Sequence, residues 1–393
     1  MIVPRFIEPV LGRLARQYPV VTVTGPRQSG KTTLCRIVFP KKPYVNLEAP
    51  DVRRFAVEDP RGFLARHPAG AIIDEIQRAP ELLSYMQGIV DESKRNGLFI
   101  LTGSRQFEML ASVTQSLAGR TALLKLLPFS IEEMKGSFGL TSVDRLIVTG
   151  FYPRIYDQKL DPSQALGDYF ETYVERDLRQ VGMVRDLSLF RTFVRLCAGR
   201  IGQLLNLHSL ANDVGISHTT ARSWMSLLEA SYIVYLLPPL HANIGKRLMK
   251  SPKLYFYDVG LAGYLLGIRD ELQAGRDPLR GSLFENLVIM EVLKYYLNRG
   301  ERRPLSFYRD SAGNEVDLVI EISQRYVPIE IKAGATITDD YFKGLRHFSK
   351  VFSGKVISSG LVYGGSDLQQ RTEWLIVPAF ETVALMRQIE VGK

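Results

Sequence analysis

A loop with two glycines, placed between a strand and a helix, constrains the fold of this chain more than any other feature. The stretch Val21–Thr33 has the sequence VTVTGPRQSGKTT and fits the pattern G-x-x-x-x-G-K-[ST] at every defined position. A run of β-branched residues precedes the loop and a helical pattern follows it, which is the context that the pattern requires. Gly25 and Gly30 let the backbone turn its N–H groups inward, and the helix that starts near Lys31 adds the positive end of its dipole. The sequence therefore predicts an anion-binding loop.

The residue types in this loop indicate a site for ATP and Mg²⁺. We expect Lys31 to contact the β- and γ-phosphates and the Thr32 hydroxyl to bind Mg²⁺. The predicted nucleotide-binding residues of the loop and of the first helical turn are Gly25, Pro26, Arg27, Gln28, Ser29, Gly30, Lys31, Thr32 and Thr33.

Two acids follow a second apolar stretch downstream of the loop. Residues 71–73 predict a short strand that ends in Asp74 and Glu75. After a loop of this kind, Asp74 is expected to hold the Mg²⁺ shell, and Glu75 is expected to be the catalytic base that polarises water for attack on the γ-phosphate. An acid pair at this position favours hydrolysis over phosphate transfer to a small molecule.

A third apolar stretch, residues 98–101, is followed abruptly by polar residues. If its strand lies between the first two in a parallel sheet, Thr102 or Ser104 would lie beside the γ-phosphate, and we assign Ser104 to the ATP site. The charge of the γ-phosphate is commonly stabilised by an arginine from the same chain or from a neighbouring subunit. Arg105 and Arg120 are both candidates, and we favour Arg120 as the catalytic residue.

Composition limits the class of protein. A chain of 393 residues has room for two or three domains, and an apolar fraction of 46% is normal for a soluble globular protein. No apolar run is long enough to cross a bilayer and no signal-peptide pattern is present, so we expect no membrane attachment. Cys35 and Cys197 lie in helical patterns like small apolar residues, which is typical of a cytoplasmic protein and excludes a cysteine-based zinc site. The net charge of +9 permits nucleic-acid binding without requiring it.

The middle of the chain has the spacing of a helix-turn-helix. Residues 209–217 indicate a helix, a glycine turn and a serine N-cap, and residues 218–230 indicate a second helix. Two strands that could form a hairpin follow, which completes the pattern of a winged helix. The second helix would present outward His218, Thr219, Arg222 and Ser223. This surface is only mildly basic, so both DNA and a protein partner remain open, and the basic hairpin tip at residues 246–250 is a candidate phosphate contact.

The C-terminal part carries the residues of a PD-(D/E)xK nuclease signature. Asp317 on one predicted strand is followed by Glu330-Ile331-Lys332 on the next. Asp317 and Glu330 are expected to bind a divalent metal, for which carboxylate oxygens favour Mg²⁺ or Mn²⁺, and Glu285 from the preceding helix would complete the metal shell. Lys332 lies on the same strand face as Glu330 and is expected to be catalytic, by orienting water or stabilising charge. Alternating charges on a half-buried strand remain the structural alternative.

Taken together, these motifs resemble those of prokaryotic AAA-type P-loop ATPases that carry a winged helix and a C-terminal PD-(D/E)xK nuclease-like domain of uncertain function. The resemblance covers nearly the whole chain and rests on residues 24–33, 73–77, 101–104, 116–120, 255–261, 315–317 and 330–332. The predicted fold class is α/β, with a P-loop NTPase parallel sheet in residues 1–145, a helical winged-helix region in residues 146–255 and a restriction-endonuclease-like α/β domain in residues 256–393.

We predict an ATPase that couples ATP binding and hydrolysis to DNA binding or processing by the nuclease-like domain, with a homo-oligomer as a candidate state. Two alternatives remain open. In the first, the nuclease-like fold is catalytically inactive, and the protein is an ATP-dependent regulator that binds nucleic acid or a partner. In the second, the protein is a toxin–antitoxin or defence component in which the ATP state gates an effector.

Overall fold

The structure is a computed structural model that describes residues 3–103, 116–175, 184, 186–240 and 250–391. By its internal contacts the chain forms two compact units. The first contains residues 1–129 and 297–301, and the second contains residues 130–296 and 302–393. The division into three domains that the sequence suggests stays a prediction.

A parallel five-stranded sheet forms the centre of the first unit, as the sequence predicts. Its strands are β1 (Val20–Thr24), β2 (Tyr44–Asn46), β3 (Ala71–Asp74), β4 (Phe99–Gly103) and β5 (Thr121–Lys125). The strand order is β2-β3-β4-β1-β5, so β4 lies between β3 and β1. This is the order on which the expectation for Thr102 and Ser104 depended. β5 runs parallel to β1, with Thr121 paired to Val20 and Lys125 paired to Thr24.

Both faces of this sheet are buried, which explains why its strands have continuous apolar runs. In β3, Ala71 and Ile73 belong to one hydrophobic core and Ile72 belongs to the other. The alternation follows from the two-residue period of a strand. The helices of this unit are Glu8–Gln17, Lys31–Val38, Pro50–Glu58, Pro60–Ala65 and Leu82–Ser93, with a 3₁₀ turn at Ile76–Arg78.

The first half of the second unit is helical. Its helices are Ile131–Lys135, Val143–Thr149, Pro153–Asp157, Pro162–Tyr169, the π-helix Phe170–Glu175, Leu187–Ala198, Leu207–Val214 and His218–Ala230. The antiparallel pair β6 (Val234–Leu237) and β7 (Lys253–Phe256) follows. Ser130 starts the first of these helices through a reciprocal capping box with Glu133, because each side chain accepts a hydrogen bond from the other residue's backbone N–H.

A mixed six-stranded sheet forms the second half of this unit. Three helices precede the sheet: Val259–Leu265, Glu271–Arg276 and Arg280–Asn298. The strands are β8 (Leu305–Arg309), β9 (Glu315–Ile322), β10 (Arg325–Lys332), β11 (Gly360–Tyr363), β12 (Gln369–Gln370) and β13 (Leu375–Pro378), in the order β12-β13-β11-β10-β9-β8. The remaining helical segments are Asp339–Phe342, Lys343–Val351, Ala379–Glu381 and Thr382–Val391. Strands β8, β9 and β10 form an antiparallel meander, and β11 and β13 run parallel to β10.

Two further predictions can be compared with the structure. Among the residues that the structure describes, no helix combines the length and the apolar character that crossing a bilayer would require. Cys35 and Cys197 are buried free thiols, and burial raises the pKa of both. Both cysteines therefore behave as the apolar core residues that their helical patterns indicate.

Candidate functional sites

The loop that joins β1 to the helix Lys31–Val38 needs glycine for backbone reasons. Gly25 has a φ of +146°, and a Cβ at this position would lie 2.0 Å from the carbonyl oxygen of Leu126. Gly30, which immediately precedes the helix, has a φ of +92°. Both angles are unfavourable for residues with a side chain, so the two defined glycines of the sequence pattern have a direct structural cause.

Arg5 holds this loop in place from the N-terminal part of the chain. Its Nη1 donates to the carbonyl oxygen of Ser29 at 2.9 Å, and its Nη2 donates to that of Leu127 at 2.8 Å. Arg5 is 7% exposed, so these charge-assisted hydrogen bonds are shielded from water. Arg5 could not be predicted from the sequence, because its partners Ser29 and Leu127 are distant from it along the chain.

Lys31 points into the loop that precedes it. Its Nζ donates to the carbonyl oxygens of Gly25 at 3.0 Å and Pro26 at 2.7 Å. Burial lowers the pKa of Lys31 to about 8, although Glu75 and Asp74 oppose the shift. The amine is therefore placed where the negative charge of a phosphate would favour its protonated form.

We expect the affinity for ATP to fall as pH rises above about 8, because the pKa of Lys31 in the ligand-free protein lies there. Below this pH the amine already carries the charge that attracts phosphate. Above it, binding must be accompanied by proton uptake, so Kd should rise by up to about tenfold per pH unit. Calorimetry from pH 7 to 9.5, in buffers of different ionisation enthalpy, measures Kd and proton uptake together. A constant Kd without proton uptake at pH 9 would contradict the expectation.

Asp74, the last residue of β3, is held by three hydroxyl groups. Its Oδ2 accepts hydrogen bonds from Thr32 Oγ1 at 2.8 Å and from the Tyr44 hydroxyl at 2.7 Å, and its Oδ1 accepts one from Thr102. Asp74 is 6% exposed, so its carboxylate is oriented before a ligand binds. The Thr32 hydroxyl and the Asp74 carboxylate are adjacent hard oxygen donors, which Mg²⁺ prefers. The residues present therefore fit Mg²⁺.

The partners of Asp74 were only partly foreseen. Thr102 is one of the two residues expected beside the γ-phosphate, and its hydroxyl bonds to Asp74. Ser104 and Arg105 lie outside the described residues, so their assignments stay predictions. Tyr44 was missed, since it meets Asp74 only because β2 pairs with β3 in the folded sheet.

Glu75 directly follows Asp74 and has a strained backbone. Its φ of +57° and ψ of +47° lie in the left-handed region, which costs a residue with a side chain about 1–3 kcal/mol. Its Oε2 accepts a hydrogen bond from Gln77 Nε2. Strain of this kind concentrates at functional sites, and the role of Glu75 as the base stays a prediction.

A cavity of about 500 Å³ opens beside this site. It is lined by Thr32, Thr33, Arg36, Ile37, Phe39, Pro40, Lys42 and Tyr44. The Arg36 guanidinium lies 5.1 Å from the centroid of the Tyr44 ring, which makes this wall cationic. Because Thr32 and Tyr44 line the cavity and also bond to Asp74, the cavity leads to the proposed Mg²⁺ ligands.

Arg120 lies at the opposite end of the sheet from the loop. Its carbonyl oxygen accepts a hydrogen bond from the backbone N–H of Val20, the first residue of β1, whereas the loop follows Thr24, the last residue. Five strand residues span about 16 Å, so Arg120 is too far away to contact a phosphate in the loop of its own chain. Its guanidinium instead pairs with Asp91 at 2.6 and 2.8 Å. The structure therefore does not bring Arg120 to the loop of its own chain, and its role as the catalytic arginine stays a prediction.

Asp317, Glu330 and Lys332 come together in the second unit. The antiparallel register that pairs Leu318 with Ile329 makes Asp317 and Glu330 neighbours. Lys332 Nζ donates to Asp317 Oδ2 at 2.8 Å and to Glu330 Oε2 at 2.6 Å. The proximity expected from the order and alternation of these strand residues is thus observed.

Glu285, the expected third metal ligand, is held by different partners. It projects from the helix Arg280–Asn298, and its Oε1 accepts hydrogen bonds from Lys253 Nζ at 3.1 Å and from the Tyr255 hydroxyl. Lys253 Nζ also lies 2.5 Å from Glu315 Oε1. The name carboxylate cluster is used below for Glu285, Glu315, Asp317 and Glu330.

Burial and neighbouring charges shift the pKa values of the acids of this cluster in different directions. Burial, together with the charge of Asp317, raises the pKa of Glu285 to about 7. The same two causes raise the pKa of Glu330. Burial also acts to raise the pKa of Asp317, but Lys332 and Lys253 outweigh it and lower this pKa to about 2. Asp317 is therefore the acid whose negative charge the lysines stabilise most.

The arrangement differs from the metal site predicted at Glu285, Asp317 and Glu330. Among the described residues, no three Asp, Glu, His or Cys side chains are grouped so that they could hold a metal ion. Lys253 and Lys332 instead bond to carboxylate oxygens on which such a site would depend. Lys253 was missed because it precedes the expected nuclease-like domain in the sequence.

The helix pair Leu207–Val214 and His218–Ala230 has the local signals that the sequence predicts. The side chain of Ser217 accepts a hydrogen bond from the Thr220 N–H and caps the second helix. On this helix Thr219 and Arg222 are exposed, while His218 and Ser223 are half-buried. Residues 246–249 of the expected basic hairpin tip lie outside the described residues. Contact of this surface with DNA therefore stays a prediction.

Three family models match successive parts of the chain. An AAA domain matches residues 17–135, a Domain of unknown function (DUF8612) matches residues 140–272, and a Domain of unknown function (DUF4143) matches residues 280–381. The first match confirms the P-loop AAA ATPase class predicted for the N-terminal part. The other two leave the winged-helix and nuclease-like predictions open.

Relatives match over most of the chain. The "Uncharacterized protein Rv2008c" of Mycobacterium tuberculosis and the "Uncharacterized protein Mb2031c" of Mycobacterium bovis are each 34% identical over 331 residues. Each match covers 83% of this chain and 73% of the relative. An "Uncharacterized protein" of Haemophilus influenzae is 25% identical over 241 residues, which cover 57% of each chain.

Solved structures add a weaker similarity. "The walker-type atpase paby2304 of pyrococcus abyssi" is 16% identical, with a TM-score of 0.44, and the match covers 67% of this chain and 96% of that one.

Proposed function

Since the chain belongs to the family of the uncharacterized mycobacterial proteins Rv2008c and Mb2031c and begins with an AAA domain, we propose that it binds Mg-ATP and hydrolyses it in its first unit. The observation that carries this proposal is the contact between Thr32 and Asp74 at 2.8 Å, directly beside the buried Lys31. An AAA match supports ATP binding and hydrolysis at the level of the family.

Each residue of the site has a distinct proposed role. The loop backbone from Gly25 to Gly30 and the ammonium of Lys31 bind and orient the phosphates of ATP. Thr32 and Asp74 hold Mg²⁺, which supplies charge neutralisation to the phosphates when bound. Glu75 accepts a proton from the attacking water. Arg120 of a neighbouring subunit remains the candidate that completes the charge shell in a homo-oligomer.

We propose that the second unit makes this ATPase a regulator and does not act as a nuclease. The supporting observation is that two lysines bond to the acids that a catalytic metal site was predicted to use. In this proposal the helix pair 207–230 and the β6–β7 pair form a winged helix that binds nucleic acid or a protein partner, and ATP controls that binding. A toxin–antitoxin or defence role would be one use of such a regulator.

A metal-dependent nuclease is the second candidate function. Asp317, Glu330 and Lys332 lie within hydrogen-bond distance on adjacent strands, as the PD-(D/E)xK signature requires, and this observation supports it. In that case Mg²⁺ or Mn²⁺ would have to displace lysine from the carboxylates.

The purified chain tests both proposals in one experiment. We expect phosphate release from ATP that depends on Mg²⁺ and falls at least about tenfold in Asp74→Asn, because the metal loses a charged ligand. Asp51→Asn, a change at an exposed acid in the same unit, is the matched control and should keep wild-type activity. Circular and linear DNA should stay intact with Mg²⁺ or Mn²⁺. Cleavage that disappears in Asp317→Asn would favour the nuclease.

A further inference from the structure

We infer that the buried Lys253 ammonium, through its bonds to the carboxylate cluster, prevents that cluster from binding a divalent metal ion. This ammonium bonds to Oε1 of Glu285 and to Oε1 of Glu315, where a divalent metal ion would need oxygen ligands, while Glu315 Oε2 pairs with Arg309 at 3.2 Å. The inference deepens the regulator function proposed for the second unit, and it does not depend on ATP hydrolysis in the first.

The position of Lys253 is fixed by its backbone. It is the first residue of β7 and pairs with Leu237 of β6. The residue is only 3% exposed, and its Nζ lies 5.5 Å from the centroid of the Phe307 ring. An ammonium buried to this extent is stable only when it is paired, so the contacts with Glu285 and Glu315 cannot be exchanged for water without cost.

The neighbouring residue on the same strand face supports this arrangement. Side chains two positions apart in a strand share a face, and Tyr255 therefore points to the same side of β7 as Lys253. The Tyr255 hydroxyl donates to Glu285 Oε1, the oxygen that also accepts from Lys253. β7 thus supplies both donors to the carboxylate that the expected metal site would need from the helix.

The second lysine acts on the other half of the cluster. Lys332 bridges Asp317 and Glu330, so each lysine bonds to two carboxylates. Mg²⁺ and Mn²⁺ need several oxygen ligands at once, and a divalent ion among these acids would also be repelled by two ammonium groups. The side chain of Lys332 is 32% exposed and that of Lys253 is 4% exposed. Lys332 can therefore turn towards solvent, whereas Lys253 leaves only if β7 moves.

Replacement of Lys253 by methionine tests this inference, because methionine keeps the unbranched apolar stem of the side chain and removes the ammonium. Both tryptophans, Trp224 and Trp374, lie in the second unit, so their fluorescence follows the unfolding of that unit. We expect Mn²⁺ to leave the wild-type melting temperature unchanged and to raise that of Lys253→Met by about 3–5 °C. Electron paramagnetic resonance should detect about one more bound Mn²⁺ per chain than in the wild type.

Two further variants keep the test decisive. Lys253→Met combined with Asp317→Asn should lose the added Mn²⁺ if the ion binds in the cluster. Lys253→Gln provides a polar replacement if the methionine variant does not fold. The inference is overturned if folded Lys253→Met or Lys253→Gln gains no Mn²⁺, or if the wild type already binds an ion that Asp317→Asn removes. The measurements are made without ATP, and phosphate release measured separately shows whether the proposed ATPase function fails.

Discussion

Replacing Glu75 by glutamine is expected to preserve ATP binding and to lower kcat by about 10²–10⁴-fold, the usual contribution of a general base. Glutamine keeps the shape of the side chain and the hydrogen-bond partner of Gln77, but it cannot take a proton from water. Because the base acts on the attacking water and not on the bound phosphates, the affinity for ATP should change little. Calorimetric Kd and the rate of phosphate release separate the two effects.

Lys31→Met provides the control, because this variant is expected to lose ATP binding, whereas Glu75→Gln is expected to lose turnover. The Lys31 ammonium is expected to contact the phosphates of bound ATP, so its loss should weaken ATP binding by at least about tenfold, in keeping with a charged hydrogen bond worth about 1.5–3 kcal/mol. Wild-type turnover in Glu75→Gln would show that another group is the base. Equal loss of binding in both variants would show instead that Glu75 is structural.

Replacing Lys294 by methionine is expected to destabilise the second unit by about 3–5 kcal/mol, the usual cost of leaving a buried charge without its partner. Lys294 and Glu291 are each 1% exposed and are joined at 2.9 Å. Glu291 Oε2 also accepts a hydrogen bond from the N–H of Ile131 at 2.7 Å, and Lys294 Nζ lies 3.7 Å from the centroid of the Phe151 ring. Urea unfolding followed by tryptophan fluorescence measures the loss.

The pH dependence of this variant identifies its cause. Burial raises the pKa of Glu291, and Lys294 partly opposes this shift, so removal of the lysine raises the pKa further. A carboxyl with a raised folded-state pKa favours folding when protonated, so the variant should lose stability as pH rises above the unfolded value of about 4.3. Stability that is independent of pH between 5 and 8 would point to lost packing.

A double variant and a surface lysine provide the controls for this measurement. Glu291→Gln combined with Lys294→Met removes both charges but keeps an acceptor for Ile131, so it should recover much of the lost stability. Lys343→Met removes a lysine that pairs with Asp340 on the surface and should leave the urea midpoint unchanged. Equal destabilisation in the single and double variants would contradict the charge explanation.

The ATP-binding loop could be predicted because the residues that form it are contiguous in the sequence. Gly25 and Gly30 are required by backbone angles, and Lys31 and Thr32 follow in the first turn of the helix. Each property belongs to neighbouring residues, so a pattern along the chain is sufficient to locate the loop. The same argument applies to the glycine and serine that separate the helices 207–214 and 218–230.

Strand order decided the rest of this site. The sequence identified Asp74 but could not show that Tyr44 bonds to it, because that contact depends on which strand lies beside β3. The parallel register of β1 and β5 places Arg120 at the sheet end opposite the loop, because Arg120 precedes Thr121, which pairs with the first residue of β1. An apolar strand pattern carries no information about its neighbours when both faces of the sheet are buried.

By itself, the sequence determined the phosphate-binding loop, the acids that end β3 and the approach of Lys332 to Asp317 and Glu330, because loop geometry and strand alternation are local. Only the tertiary structure decided which positively charged side chain bonds to Glu285. Lys253 is 32 residues away from it in the sequence and belongs to a different strand pair. An isolated lysine in a sequence is normally exposed, and this one is buried because the fold surrounds its ammonium with carboxylates that offset the cost of removing it from water.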